Sequence, residues 1–202
     1  MRATVRIFSP SSPPQAISNK PMGRKEKLTA MTQTAMLTAV MAVLAQIAVP
    51  MPSQVPLTLQ TFGVTLCAWL GGKKTGVPAL LVYLAAGAAG MPVFTGFRGG
   101  AAVLFGYTGG FLWGFIPLVL LCAAASEKTN RLPAVLAGGA GLLCYHLFGI
   151  LQYSAVSGSG LWQSFLLCSL PYLLKDALSV LAAYFAASSV RRALRASGIH
   201  IQ

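Results

Sequence analysis

An all-α membrane protein with six transmembrane helices and both termini in the cytoplasm is the fold class that three features of this sequence predict. The first is hydropathy: 55% of the 202 residues are hydrophobic and only 9% are charged, and the mean hydropathy is +0.69. A soluble domain carries roughly a quarter charged residues, so this chain lacks the polar surface it would need in water. The second is a series of six apolar runs separated by short polar breaks. The third is that the basic residues cluster in alternate breaks, the topogenic pattern of a multi-pass membrane protein. With 15 Lys and Arg against three acids the formal charge is +12. In a soluble protein that excess would suggest nucleic acid; here membrane lipid is the partner and nucleic acid is not.

Residues 1–23 are polar and rich in Ser and Pro, with no apolar core of signal-peptide length. They read as a disordered cytoplasmic extension, or as the product of a start codon placed too early. Residues 24–202 then form the transmembrane domain. Its first run, 28–49, is long enough to cross a hydrocarbon core of about 30 Å. The second, 57–70, is short and ends at "GGKK"; the third, 75–90, is also short and rich in Ala and Gly. The fourth covers 109–125, the fifth 133–156 and the sixth 163–190. Six spans leave no room for a large soluble catalytic domain such as an ATPase.

Charge sets the orientation. Arg24, Lys25 and Lys27 precede the first run, Lys73 and Lys74 separate the second from the third, Lys128 and Arg131 separate the fourth from the fifth, and Arg191, Arg192 and Arg195 follow the sixth. Six spans put all four clusters on one side, which the positive-inside rule makes the cytoplasm. Five or seven spans break that pattern. Cys67, Cys122, Cys144 and Cys168 all lie within apolar runs and form no CxxC pair, so they read as free packing thiols and not as metal ligands. His146 and His200 have no ligand-spaced neighbour.

The external connections are 50–56, 91–108 and 157–162, and Arg98 is their one formal charge. In "PMPSQVPLTLQT", Pro50, Pro52 and Pro56 forbid a regular helix. Irregular backbone at membrane depth has to pack against protein or line a watery cavity. Gln54, Thr58, Gln60 and Thr61 add hydrogen-bonding side chains. In "GMPVFTGFRGGAAVLFGYTGG", Arg98 offers a planar fork suited to a carboxylate. Gly99 and Gly100 permit tight turns or close approach to a bound group, and Phe94, Phe97, Phe105 and Tyr107 supply apolar walls. Gly106, Gly110 and Gly114 recur every four residues, a spacing that reads first as close helix packing.

The stretch "YLLKDALSVL" places Lys175 and Asp176 about a dozen residues into the sixth run, roughly 18 Å along it. Ionisable groups there are costly and face a cavity or a partner. Adjacent residues point about 100° apart on a helix, so the two face different partners or flank one pocket. An internal ion pair that only holds helices together is the bland alternative. Convergence with the other external features favours groups aimed at a ligand. The sum is an outward pocket for a small molecule with a carboxylate at one end and amide-like polarity at the other.

"VPLTLQTFGV", "GMPVF…RGG…LFGYTGGFL" and "PYLLKDAL" together resemble the BioY family, the biotin-specific substrate-binding (S) components of energy-coupling factor (ECF) transporters. The resemblance runs from about residue 28 to the end in the same order and spacing, and departs from the family's usual pattern at Tyr107 and at Leu174–Lys175. It implies capture of biotin from outside a bacterial inner membrane, with no catalysis and no cofactor bound by this chain. It also implies a transmembrane coupling protein and two ABC-type ATPases as partners, the ATPases consuming ATP. By the same resemblance Arg98 meets the biotin carboxylate and Asp176 and Lys175 meet the bicyclic head. Gln60 and Thr61 lie on the first-loop side by that resemblance; Gly99, Tyr107 and Thr108, read from the residues themselves, are assigned to the same site. Ala35 and Ala39, four apart on the first helix, fit a face for docking the coupling protein. Two alternatives stay open: an S component for another vitamin, and a small proton-coupled carrier with Asp176 as its protonatable group.

Overall fold

The structure is a computed structural model that describes residues 23–126 and 131–197. The N-terminal extension up to residue 22, Lys128 and His200 lie outside the described residues. Helix α1, Arg24–Ala45, begins where Glu26 accepts the Gly23 N–H at 3.0 Å. The three prolines then do what their missing N–H groups and fixed φ require. Residues 50–56 form a loop closed by a two-residue antiparallel pair, β1 (Ala48–Val49) with β2 (Leu57–Thr58), in which Ala48 faces Thr58.

Helix α2, Gln60–Ala88, is two antiparallel arms. Gly72 sits at φ 56°, ψ −149°, a left-handed conformation that suits glycine. In one straight helix Gln60 and Tyr83 would stand about 34 Å apart, yet the Gln60 Nε2 donates to the Tyr83 hydroxyl at 2.7 Å. Near the fold, a Cβ on Gly76 would lie 2.7 Å from the Cys67 carbonyl. The arms therefore meet backbone to backbone. The short second and third runs and the "GGKK" break correspond to these arms and the reversal between them.

A loop follows, pinned by reciprocal Phe94–Arg98 backbone bonds of 3.0 and 3.2 Å. It leads to α3 (Ala101–Phe105), α4 (Gly109–Ser126) and α5 (Arg131–Ser157). Helices α4 and α5 pack at glycines: a Cβ on Gly110 would fall 2.2 Å from the Phe148 carbonyl oxygen, and one on Gly114 2.8 Å from the Tyr145 Cα. This is the small-residue packing that the four-residue spacing predicts. Gly106 lies outside α4, in the turn after α3, so it takes no part in that interface.

The sixth apolar run is not one helix. It divides into α6 (Leu161–Cys168) and α7 (Leu170–Ala196) at Ser169, whose φ −122° and ψ −55° are non-helical. Pro171 stands in the first turn of α7, where a missing N–H costs nothing, and biases its predecessors away from a continuous helix. Lys175 and Asp176 are thus in the second turn of a new helix. The 18 Å measured along a straight run does not apply.

Trp69, Tyr83, Phe115, Leu118 and Val119 fill the interior between α2, α4, α5 and α7. At the end of the bundle that carries the basic clusters, the Arg191 guanidinium donates to the Ser126 carbonyl at 3.0 Å and the Leu70 carbonyl at 3.5 Å. It thereby ties α7 to the ends of α4 and the first arm of α2. Four helices, α1, α4, α5 and α7, are long and apolar enough to cross a membrane. Only 11% of the apolar window of α1 is covered by the rest of the protein, and Met31, Met36 and Val43 are more than half exposed. Such a surface suits a hydrocarbon surround. The chain is a multi-pass membrane protein.

Candidate ligand-binding site

At the end of the bundle opposite the basic clusters, three loop segments enclose a polar cleft. The proline loop contributes Val55 and Pro56, with Thr58 from β2 and Gln60 from the start of α2; the loop after α2 contributes Phe94, Thr95 and Arg98; Val103 comes from α3, Thr108 from the turn before α4, Phe111 and Leu112 from α4, and Tyr145 from α5. The inner cleft holds about 30 Å³, room for one or two waters. Beside it lies a wider vestibule of about 250 Å³ lined by Gln54, Arg98, Ala102, Val103, Gly106, Tyr107 and Thr108. Arg98, Val103 and Thr108 border both chambers. The guanidinium is exposed, and its Nε donates to the Thr95 carbonyl at 3.1 Å.

The loops are held from below. Gln60 is buried; besides bonding Tyr83, it accepts from the Thr95 hydroxyl at 3.4 Å, while the Tyr83 hydroxyl donates to the Val93 carbonyl at 3.2 Å. Thr61 is fully buried, its hydroxyl 3.5 Å from that of Tyr145. Gly99 meets the neighbouring chain and no open space: a Cβ there would come within 2.3 Å of the Met91 carbonyl oxygen. Tyr107 is partly exposed and packs on Tyr153. Of the predicted aromatic walls, Phe94 is buried edge-on to Tyr83, whereas Phe97 and Phe105 are 72% and 70% exposed.

Lys175 and Asp176 lie behind this cleft and do not line it. The Lys175 stem curls back so that its Nζ sits 2.5 Å from the Asp176 Oδ1, and the same ammonium donates to the Thr58 carbonyl at 2.8 Å. Adjacent positions can pair here because a four-carbon stem spans the angle between them. Asp176 is 1% exposed, and its Oδ1 is ion-paired without being in hydrogen-bond geometry. Its Oδ2 stands 3.6 Å from the His146 Nε2, and the His146 Nδ1 is 2.9 Å from the Ser169 hydroxyl. One turn earlier the Tyr172 hydroxyl donates to the Val55 carbonyl. Tyr172 and Lys175 thus hold the end of the proline loop and the β2 strand that follows it.

His146 is the partner that sequence reasoning missed. The signal was present: an ionisable residue inside a span needs a partner, and Asp176 is the one described carboxylate within the apolar runs. Gln46 and Tyr145 were also missed, and nothing in their sequence context distinguishes them. Ala35 and Ala39 are both exposed on α1. Cys67, Cys122 and Cys168 are buried and Cys144 is half-buried; all four are free thiols. Among the described residues no cluster of His, Cys, Asp or Glu has metal-binding geometry.

A multi-pass helical membrane protein with a loop-roofed polar cleft is the class these features define. The fold is similar to that of a crystal structure of the S-component for biotin from an ECF-type ABC transporter. The TM-score is 0.77, over 85% of this chain and 95% of that one, at 23% identity. Residues 18–196 match the BioY family, and the chain belongs to it. It is 44% identical to the biotin transporter BioY of Thermotoga maritima over 114 residues, 56% of this chain and 67% of that protein. Identity to the biotin transporter BioY of Rhodobacter capsulatus is 36% over 56% of this chain and 63% of that protein. The probable biotin transporter BioY of Pyrococcus horikoshii is 33% identical over 78% of this chain and 93% of its own length.

Proposed function

We propose that this chain is the biotin-capturing S component of an ECF-type transporter in a bacterial cell membrane. It is a transport subunit and not an enzyme. The observation that carries this is the BioY match over residues 18–196, and the relatives' names supply the ligand. Four long helices plus the two arms of α2 support six crossings. The basic clusters then fall on one side, with both termini cytoplasmic. The cleft opens on the other side, where a vitamin arrives.

Biotin offers a carboxylate on a flexible tail and a cyclic urea with two N–H donors. Arg98, exposed between the vestibule and the inner cleft, receives the carboxylate. Gln60, Thr61, Tyr107, Thr108 and the Gly99 turn shape the chambers around the tail and ring. Asp176 accepts the urea N–H groups with Lys175 beside it. Because the carboxylate of Asp176 is covered, the Thr58 segment or the Tyr145 ring has to move aside for that contact. Delivery inward requires a transmembrane coupling protein, docked on the α1 face at Ala35 and Ala39, and ABC-type ATPases that consume ATP.

A calorimetric titration of detergent-purified protein with biotin, thiamin and riboflavin tests the reading. Tight binding of biotin alone, without ATP, is expected. Equal or absent binding of all three sinks it.

A further inference from the structure

Gln46 carries no role in the site as described, yet its amide makes more contacts to the Arg98 loop than any other side chain there. It stands just past the end of α1, half-buried. Its Nε2 shares two protons among the carbonyls of Ala42 at 3.0 Å, Val93 at 3.2 Å and Phe94 at 3.2 Å. Its Oε1 accepts the Phe97 N–H at 2.8 Å. Flipping the amide would set oxygen against three carbonyls, so the network itself fixes its orientation.

The residue it holds is strained. Phe97 has φ 55°, a left-handed conformation that a bulky side chain rarely adopts, and its ring gains nothing from it, being 72% exposed. Backbone in that state persists only where its surroundings enforce it. The next residue is Arg98, which borders both chambers. Arg98 is exposed, and among the described residues its side chain is anchored by one bond, from its Nε to the Thr95 carbonyl, so its direction is set by the backbone that carries it.

We infer that Gln46 is a positioning residue for ligand binding: from the end of α1 it clasps residues 93–97 and so aims Arg98 at the carboxylate of the bound molecule. This rests on the biotin reading above for the ligand, whereas the clasp itself is independent of it.

Two measurements on the full chain separate these parts. In hydrogen–deuterium exchange of the ligand-free protein, Gln46→Met should speed exchange of the 93–98 amides about ten-fold while α4 and α5 stay unchanged. In calorimetry, the same variant should weaken biotin binding about ten-fold and binding of an uncharged biotin amide less than about three-fold. In an Arg98→Ala background it should cost less than about two-fold, because the residue being aimed is gone. Gln46→Asn, whose shorter amide cannot span to the loop, replaces Gln46→Met if that variant fails to reach the membrane. Unchanged loop exchange overturns the clasp. Equal losses for both ligands, additive with Arg98→Ala, overturn the aiming role. If the wild-type chain binds no biotin while the variant's loop exchange still rises, the clasp stands and the biotin reading fails.

Discussion

Replacing Asp176 by Asn separates two roles that its position allows. The carboxylate is 1% exposed and the Lys175 side chain 21%. With an amide in its place, the ammonium loses its counter-charge and keeps the Thr58 carbonyl at 2.8 Å. Breaking a buried ion pair from one side costs about 3–5 kcal/mol, and the solvent access and remaining carbonyl of Lys175 put this case near 3. At about 2–4 °C per kcal/mol for a chain of this size, melting should fall roughly 6–12 °C. Removing the stranded charge as well, in Lys175→Met/Asp176→Asn, leaves the Thr58 carbonyl without that donor. That is worth about 1 kcal/mol, so the double variant should melt within about 4 °C of wild type. Intrinsic fluorescence in detergent reads both, since the chain has three Trp. Biotin binding, measured alongside, should be lost in the single variant and stay lost in the double one. A single variant that melts like wild type refutes the pair's hold on the proline loop. A double variant that regains binding as well as stability refutes Asp176 as a ligand contact.

Other substitutions probe the remaining contacts. Arg98→Ala should weaken biotin binding about ten-fold or more and leave an uncharged biotin amide within about three-fold; equal losses in a titration would remove the guanidinium from the carboxylate. Gly110→Ala should depress the yield of folded protein on size exclusion, because its Cβ meets the Phe148 carbonyl oxygen at 2.2 Å. Gly139→Ala, on the exposed side of α5 with nothing within 4 Å, should be silent in the same assay.

The helical class, the proline loop and the α4–α5 glycine contact were legible because each rests on local chemistry: hydropathy, a missing N–H, a missing Cβ. The break at Ser169 was not. The run 163–190 is apolar throughout, and hydropathy cannot tell one helix from two. Pro171 was the available mark, through its effect on the residues before it. The His146–Asp176 approach and the Gln46 clasp were hidden for another reason. They join residues 30 or more positions apart, and no pattern within one run specifies which other run it will face. Lys175 shows the same limit at shorter range. Backbone geometry gave its angle to Asp176, but the reach of a flexible stem decided the contact.

These cases share one physical cause. Irregular backbone packed against a bundle carries carbonyl oxygens that need donors, and here side chains from the bundle supply them. Gln46 and Tyr83 serve Val93, Tyr172 serves Val55, and Lys175 serves Thr58. Gln152 and the Trp113 indole likewise serve Leu104, in the last turn of the short α3. The availability of such a polar residue to a ligand has to be judged after these bonds are subtracted. By that measure Gln60 is committed at both ends of its amide. The Arg98 guanidinium has only its Nε engaged among the described residues, and the Asp176 Oδ1 is ion-paired with Lys175 outside hydrogen-bond geometry. The guanidinium at the cleft mouth and the carboxylate behind it thus offer one group of each sign. That is the complement of a ligand with an acid at one end and N–H donors at the other.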